Sequence, residues 1–150
     1  PSVDWIHHVF IYAHMKDVCG VVHTHSPYAS VFAACKISIP CLTTGQADVF
    51  GGEIPVSDYA DNRGNNIGKS ILNYKREGCP SIILGSHGVF SFDITPEKAV
   101  FAALMTEYFA KINLFAIFLG KTKGIEVKPM VLAEIEKWYK RYHGGGYGQK

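Results

Sequence analysis

Two histidines separated by one residue suggest a metal site. His23 and His25 lie in a short segment that follows Gly20 and contains the β-branched pair Val21 and Val22, which predicts a buried strand. Side chains at i and i+2 of a strand point to the same face, so both imidazoles can converge on one ion. The motif by itself is equally compatible with two ordinary half-buried histidines.

A third histidine strengthens the metal hypothesis. His87 follows the apolar segment 81–84 and lies between Gly85 and Gly88, and glycines allow tight turns and a close approach of a ligand. The alternative is a turn histidine without a ligand. Three histidines with one open position form the catalytic zinc pattern, although cobalt, nickel and manganese also accept imidazole. Such an ion can polarise a carbonyl or generate hydroxide from water.

Several other catalytic patterns are absent from the sequence. A His-x-His-x-Asp hydrolase motif would need an acid where Pro27 stands. The helical His-Glu-x-x-His motif and the Gly-x-Ser-x-Gly elbow do not occur. The sequence also lacks a Walker A motif and a Gly-x-Gly-x-x-Gly motif, so it gives no indication of a nucleotide cofactor.

Composition limits the partners and the compartment. A chain of 150 residues fits one domain with a sizeable core, and a net charge of +2 is too small to indicate nucleic acid or a membrane surface. Uninterrupted apolar runs such as 99–105 and 114–119 are far shorter than a membrane span. Cys19, Cys35, Cys41 and Cys79 form no Cys-x-x-Cys pair. An even count permits two disulfides, but Cys19 precedes a predicted buried strand and Cys35 lies on an apolar helix face. We therefore expect free, buried thiols in a cytoplasmic protein.

Helical and strand patterns alternate along the chain, which predicts an α/β or α+β protein. The predicted helices are 5–16, 26–36, 65–77, 95–119 and 130–143, and the predicted strands are 20–25, 37–43, 53–56 and 81–85. The first helix carries His7, His8 and His14, which we interpret as surface or structural residues. The glycine-containing segment 44–52 is predicted to be a loop, in which Asp48 would be solvated. By position alone, Asp4 is a helix N-cap.

Four motifs and the C-terminal tail resemble the class II aldolase/epimerase (adducin-head-like) family, over essentially the whole chain and in the right order. The motifs and the tail are residues 1–4, 22–26, 46–50, 86–90 and 143–149. The resemblance implies a three-layer α/β/α domain around a mainly antiparallel sheet, and a homotetramer with shared active sites. Family members extend upstream of Pro1, so the chain is expected to lack their N-terminal portion.

The resemblance also implies roles for individual residues. Asp4 would join His23, His25 and His87 around zinc or another divalent ion such as cobalt, manganese or nickel, in place of the capping role. Asp48 and Tyr147 would be the acid–base pair, with the tyrosine supplied by a neighbouring subunit. Ser2 and Val3 lie where the family has its phosphate-binding pair. Two serines are usual there, so Val3 removes a hydroxyl but keeps its backbone N–H.

The tail and Asp4 are most similar to the 4-epimerases of this family. They imply metal-dependent inversion at C4 of L-ribulose 5-phosphate, by cleavage and re-formation of the C3–C4 bond. Related sugar-phosphate aldolases share the metal but release the aldehyde, and they are the alternative. A metal-binding relative without catalysis remains a further hypothesis, because the family includes an actin-cytoskeleton member that has lost the ligands.

Overall fold

The computed structural model describes residues 3–146, so Ser2 and Tyr147 lie outside the described residues. Within that range the elements are α1 (Trp5–His14), β1 (Gly20–Thr24), α2 (Pro27–Cys35), α3 (Thr44–Phe50), β2 (Val56–Ser57), α4 (Asn66–Tyr74), β3 (Ser81–Leu84), β4 (Val89–Asp93), α5 (Pro96–Lys123) and α6 (Leu132–His143).

The four strands form one mixed sheet in the order β1-β4-β3-β2. β4 is antiparallel to β1 and β3, whereas β2 is parallel to β3. The sheet is therefore mainly antiparallel, as the family resemblance implies.

Each face of the sheet is covered by a different set of helices, because successive strand residues point to opposite sides. Ile83 and Val89 pack with residues of α2, α3 and α5. On the opposite face, Ile82 and Phe90 pack with Ile11 of α1 and with residues of α4. These layers give the expected α/β/α arrangement.

Helix α5 is longer than the sequence predicts. It continues through Gly120, which is buried, and ends at Lys123; the C-cap residue Gly124 has the left-handed conformation. Gly120 is tolerated inside the helix because a Cβ there would lie 2.4 Å from Val127 Cγ2, which makes glycine the residue that fits. By length and composition α5 could cross a membrane, contrary to the expectation from uninterrupted apolar runs. One such helix is weak evidence, since a soluble core helix meets the same criteria.

The predicted loop 44–52 is wrong, because it contains helix α3. The Thr43 hydroxyl caps this helix by accepting from Gln46 N–H. Gln46 is fully buried; its amide donates to Ile39 O, and its carbonyl accepts from Asn113 of α5. These long-range bonds stabilise a seven-residue helix. Its sequence does not predict a helix, because Gly45 lies within it and Gly51 follows it.

Two other expectations also fail. Segment 37–43 forms an isolated bridge between Ile39 and Ile54, not a strand. All four cysteines are free, as predicted, but Cys19 and Cys35 are exposed rather than buried. Both exposures depend on which faces other elements cover, and local sequence does not encode this.

Glu107 of α5 caps the helix that follows the His-x-His motif. Its two carboxylate oxygens accept from the backbone N–H groups of Tyr28 and Ala29, at 3.0 and 2.9 Å. Ser26 occupies the N-cap position of α2, but its side chain makes no capping hydrogen bond. Glu107 therefore joins α5 to the backbone directly after His25.

Replacing Glu107 by alanine is expected to lower the free energy of unfolding by about 1.5–3 kcal/mol, since two hydrogen bonds to a charged acceptor are lost. Urea denaturation would measure the change. Glu134→Ala is the matched control, because that carboxylate makes only a surface ion pair with Lys137 and its loss should cost under about 1 kcal/mol. Equal losses for both variants would contradict the capping role.

Candidate metal centre

Three imidazoles converge at one end of the β1–β4 pair. The potential ligand nitrogens of His23, His25 and His87 all lie within 4.8 Å of one another. Their ring centroids are 4.7 to 5.0 Å apart. Nitrogens that bind one zinc ion at about 2.0–2.1 Å must lie less than roughly 4.2 Å from one another. A small inward movement of the imidazoles would therefore bring their nitrogens to the separation that zinc requires.

The sheet fixes the orientation of His23. It pairs with Phe90 in the antiparallel register, and the two rings stack at 4.3 Å. His23 Nδ1 lies 2.8 Å from Val89 O. Because a carbonyl can only accept, Nδ1 carries the hydrogen and Nε2 keeps its lone pair for a ligand. His25 follows the last residue of β1.

A tight turn between β3 and β4 brings His87 to the same place. His87 N–H donates to Leu84 O, and Leu84 N–H donates to Gly88 O, which closes the turn. Ser86 adopts a left-handed conformation with φ of 59°. A Cβ on Gly88 would lie 2.6 Å from His25 Cδ2 and 3.3 Å from His23 Cε1. Glycine at position 88 is therefore what lets the imidazoles approach.

The carboxylate of Asp4 lies beside this cluster. Asp4 is at the N-cap position of α1, but its side chain makes no capping hydrogen bond. Its Oδ2 is 3.7 Å from His23 Nε2, and its Oδ1 is 3.9 Å from His7 Nε2. Only 7% of Asp4 is exposed, so a largely buried carboxyl group lies next to His23 of the cluster.

Burial favours the neutral form of His23 and of His87. It lowers the pKa of His23 to about 4, and the neighbouring His87 and His25 lower it further, whereas the Val89 hydrogen bond and Asp4 oppose the shift. Burial also lowers the pKa of His87. Neutral imidazoles offer lone pairs at neutral pH, which metal binding requires.

The metal-free protein is expected to lose stability as the pH falls from about 6.5 toward 4. In this window the unfolded chain protonates His23 at its ordinary pKa while the folded chain does not, so the unfolded state binds more protons and the free energy of unfolding falls. Urea denaturation at several pH values between about 6.5 and 5 would measure the slope. His23→Gln should reduce it, and an unchanged slope would contradict the assignment.

Three imidazoles beside a carboxylate match the donor set of a divalent ion with room for a further ligand. The same set could place an ion against a carbonyl or hydroxyl oxygen of a small molecule. The residues present therefore fit a metal, and the donor types favour zinc or a similar first-row ion over magnesium or calcium.

Asp48 is not part of this cluster of potential ligands. It is on α3, 8% exposed, and lines a cleft of about 450 Å³ between α3, α5 and α6. None of the three histidines lines that cleft. His143, at the end of α6, makes a 3.1 Å hydrogen bond to Asp48 O. Val3 is 75% exposed next to Asp4, and the two remaining predicted residues, Ser2 and Tyr147, lie outside the described range.

His7 belongs to the surroundings of the site, and sequence reasoning missed it. The sequence predicts a surface or structural role for His7, as for His8 and His14, yet His7 is fully buried and faces Asp4, whereas His14 is exposed. The available signal was its spacing, since residues i and i+3 at a helix start share a face.

Comparisons with known proteins agree on one family. The family model described as "Class II Aldolase and Adducin N-terminal domain" matches residues 1–114. This match includes the three converging histidines, Asp4 and Asp48.

The chain is also similar to curated proteins and solved structures. It is 34% identical to a probable L-ribulose-5-phosphate 4-epimerase UlaF of Mycoplasma pneumoniae, over 99% of the chain and 66% of that relative. It is 31% identical to L-ribulose-5-phosphate 4-epimerase UlaF of Salmonella paratyphi C, over the whole chain and 69% of that relative. The chain thus spans about two thirds of the length of these relatives.

A solved L-fuculose 1-phosphate aldolase has the same fold. It superposes with a TM-score of 0.77 and 24% identity, over 95% of this chain and 64% of that one. At this identity the similarity concerns the fold.

Proposed function

The chain belongs to the class II aldolase and adducin N-terminal domain family, and from that premise we propose that it catalyses metal-dependent epimerisation of L-ribulose 5-phosphate to D-xylulose 5-phosphate. The observation that carries the proposal is the convergence of His23, His25 and His87 beside Asp4. The names of the two curated epimerases support the choice of substrate. A cytoplasmic location is consistent with a sugar-phosphate substrate and free thiols.

Asp4 and the three histidines would hold the ion, which we propose to be zinc. When bound, the ion supplies Lewis acidity that stabilises negative charge on substrate oxygens during cleavage of the C3–C4 bond. The backbone N–H of Val3, a residue that is 75% exposed, would bind the phosphate together with Ser2. Asp48 and Tyr147 would remove the C4 hydroxyl proton on one side and return it on the other, after the aldehyde has rotated.

The position of Asp48 favours an active site shared between two subunits. Its cleft between α3, α5 and α6 does not include the histidines. His143, which contacts Asp48, is four residues before Tyr147, and four residues span at most about 14 Å. We therefore propose that one protomer supplies both Asp48 and Tyr147 to the metal of its neighbour.

An apolar stripe on α5 supports self-association. Six large apolar residues, each more than 40% exposed, lie on the side opposite its buried face: Phe101, Leu104, Tyr108, Phe115, Phe118 and Leu119. Large exposed apolar side chains that share one face of a helix are typical of protein interfaces. A homotetramer, in which each interface completes one site, would cover the stripe.

Leu104→Lys is expected to dissociate the assembly, because a lysine on the 65% exposed Leu104 position would have to lose its hydration within the interface. Light scattering coupled to size exclusion would report the mass. Glu126→Lys, at an exposed position outside the stripe, is the control and should leave the mass unchanged. Unchanged mass for Leu104→Lys would contradict this interface.

Turnover of L-ribulose 5-phosphate by the zinc-loaded protein tests the proposed function. Cleavage of the C3–C4 bond gives dihydroxyacetone and glycolaldehyde phosphate, so both are followed together with D-xylulose 5-phosphate. Conversion with little release of fragments supports the epimerase. Dominant release of fragments would replace it by the aldolase, and zinc binding without turnover would favour a non-catalytic relative.

A further inference from the structure

His7 is a buried polar side chain that packing does not explain. It has no exposed surface, and neither ring nitrogen has a hydrogen-bond partner among the described residues. An unsatisfied buried polar group typically costs about 1–3 kcal/mol. Ile11, one turn further along the same helix, is fully buried and aliphatic. An aliphatic residue at position 7 would therefore avoid the cost.

The carboxylate of Asp4 lies close to the His7 ring. His7 Nε2 lies 3.9 Å from Asp4 Oδ1, while the other oxygen, Oδ2, lies 3.7 Å from His23 Nε2. The carboxylate is thus held between two imidazoles, one oxygen toward each. A movement of less than 1 Å would bring the His7 contact to hydrogen-bond distance.

We propose that His7 is a positioning residue, whose Nε2–H donates to Asp4 Oδ1 and thereby aims Oδ2 at the ion bound by His23, His25 and His87. The inference rests on the proposed metal site and extends it to a residue that never touches the ion. Carboxylate ligands of metals are commonly oriented in this way, and loss of the outer partner lowers metal affinity by about 10–100-fold.

The fixed backbone of α1 makes the arrangement rigid. Asp4 and His7 are joined by the first helical hydrogen bond, from His7 N–H to Asp4 O, at 3.0 Å. The side chains of both residues therefore leave the same helical turn, and burial of the ring restricts its rotation. Asp4 is held by its own helix, so its aim does not depend on the turn that carries His87.

Three variants test the proposal through metal binding rather than activity. His7→Phe fills the space without a donor, His7→Gln restores an N–H, and Ile11→Ala creates a cavity on the same helix without touching Asp4. Zn²⁺ affinity is measured by competition with a chromophoric chelator, and the visible spectrum of bound Co²⁺ reports its ligand set. We expect about 10–100-fold weaker Zn²⁺ binding and an altered Co²⁺ spectrum for His7→Phe only.

A double-mutant cycle separates positioning from general destabilisation. If His7 acts through Asp4, His7→Phe should cause no further loss of Zn²⁺ affinity in an Asp4→Ala background. Wild-type affinity for His7→Phe, or an equal loss in both backgrounds, would overturn the inference while leaving the metal site intact. Failure of the wild-type chain to bind either ion would overturn the metal site itself, and the inference with it.

Discussion

Replacing His87 by alanine is expected to abolish zinc binding at micromolar ion and to remove turnover of L-ribulose 5-phosphate. The potential ligand nitrogens of the three histidines lie within 4.8 Å of one another. Removing one of them leaves only two imidazole ligands for the ion. The loss should exceed the roughly 10–100-fold effect of removing an outer partner of a metal ligand. Chelator competition and the epimerase assay would measure the two effects.

The control for this substitution is His14→Ala, which removes an exposed histidine of α1 that hydrogen-bonds only its own helix backbone. Its zinc affinity and activity should match those of the wild type. Circular dichroism would establish that both variants are folded. A folded His87→Ala protein that retains bound zinc would contradict the assignment of His87 as a ligand.

Mixing His87→Ala with Asp48→Asn protein is expected to restore activity that neither variant has alone. Asp48→Asn should lose about 10²–10⁴-fold in turnover if this residue transfers the C4 hydroxyl proton. In mixed oligomers some sites combine an intact metal cluster with an intact Asp48 from the neighbour. Random exchange would give about a quarter of the wild-type activity, since half of the subunits keep each function.

The matched control is a mixture of Asp48→Asn and Tyr147→Phe. If one protomer supplies both residues, every donated pair carries one defect, and no activity should return. Recovery in this mixture would show that the two residues of one active site come from different subunits. Asp48 would then belong to the same subunit as the metal ligands of that site. Absence of recovery in the first mixture, despite subunit exchange verified by mass, would contradict the shared site.

Short-range regularities made several features predictable from the sequence. The strand period of two placed His23 and His25 together, and the glycines around His87 indicated a turn at a site. Thr95 and Pro96 predicted the start of α5, where the Thr95 hydroxyl does accept from Lys98 N–H. Such features depend on residues within one turn or strand, which is the range over which propensity and periodicity operate.

The environment of the site was less predictable. Asp4 has the position and residue type of a helix cap, yet its carboxylate lies between His7 and His23. Glu107 shows the converse: it caps a helix that begins 80 residues before it in the chain, and nothing in its local sequence indicates this role. A polar side chain can satisfy a local or a distant partner, and the sequence does not state which of them folding brings closer.

The sequence by itself determined the family, the three histidines that converge and most of the helices and strands. Only the tertiary structure decided that α3 is a helix, that His7 is buried against Asp4 and that Asp48 lines a cleft that the three histidines do not line. The physical reason is that each of these depends on packing between elements distant in the chain. Helix α3 is stabilised by Gln46 and Asn113, and α1 lies on the sheet through Ile11 and Phe90. Such contacts produce no periodic pattern of apolar residues in the segments that they join, so they cannot be predicted from local sequence.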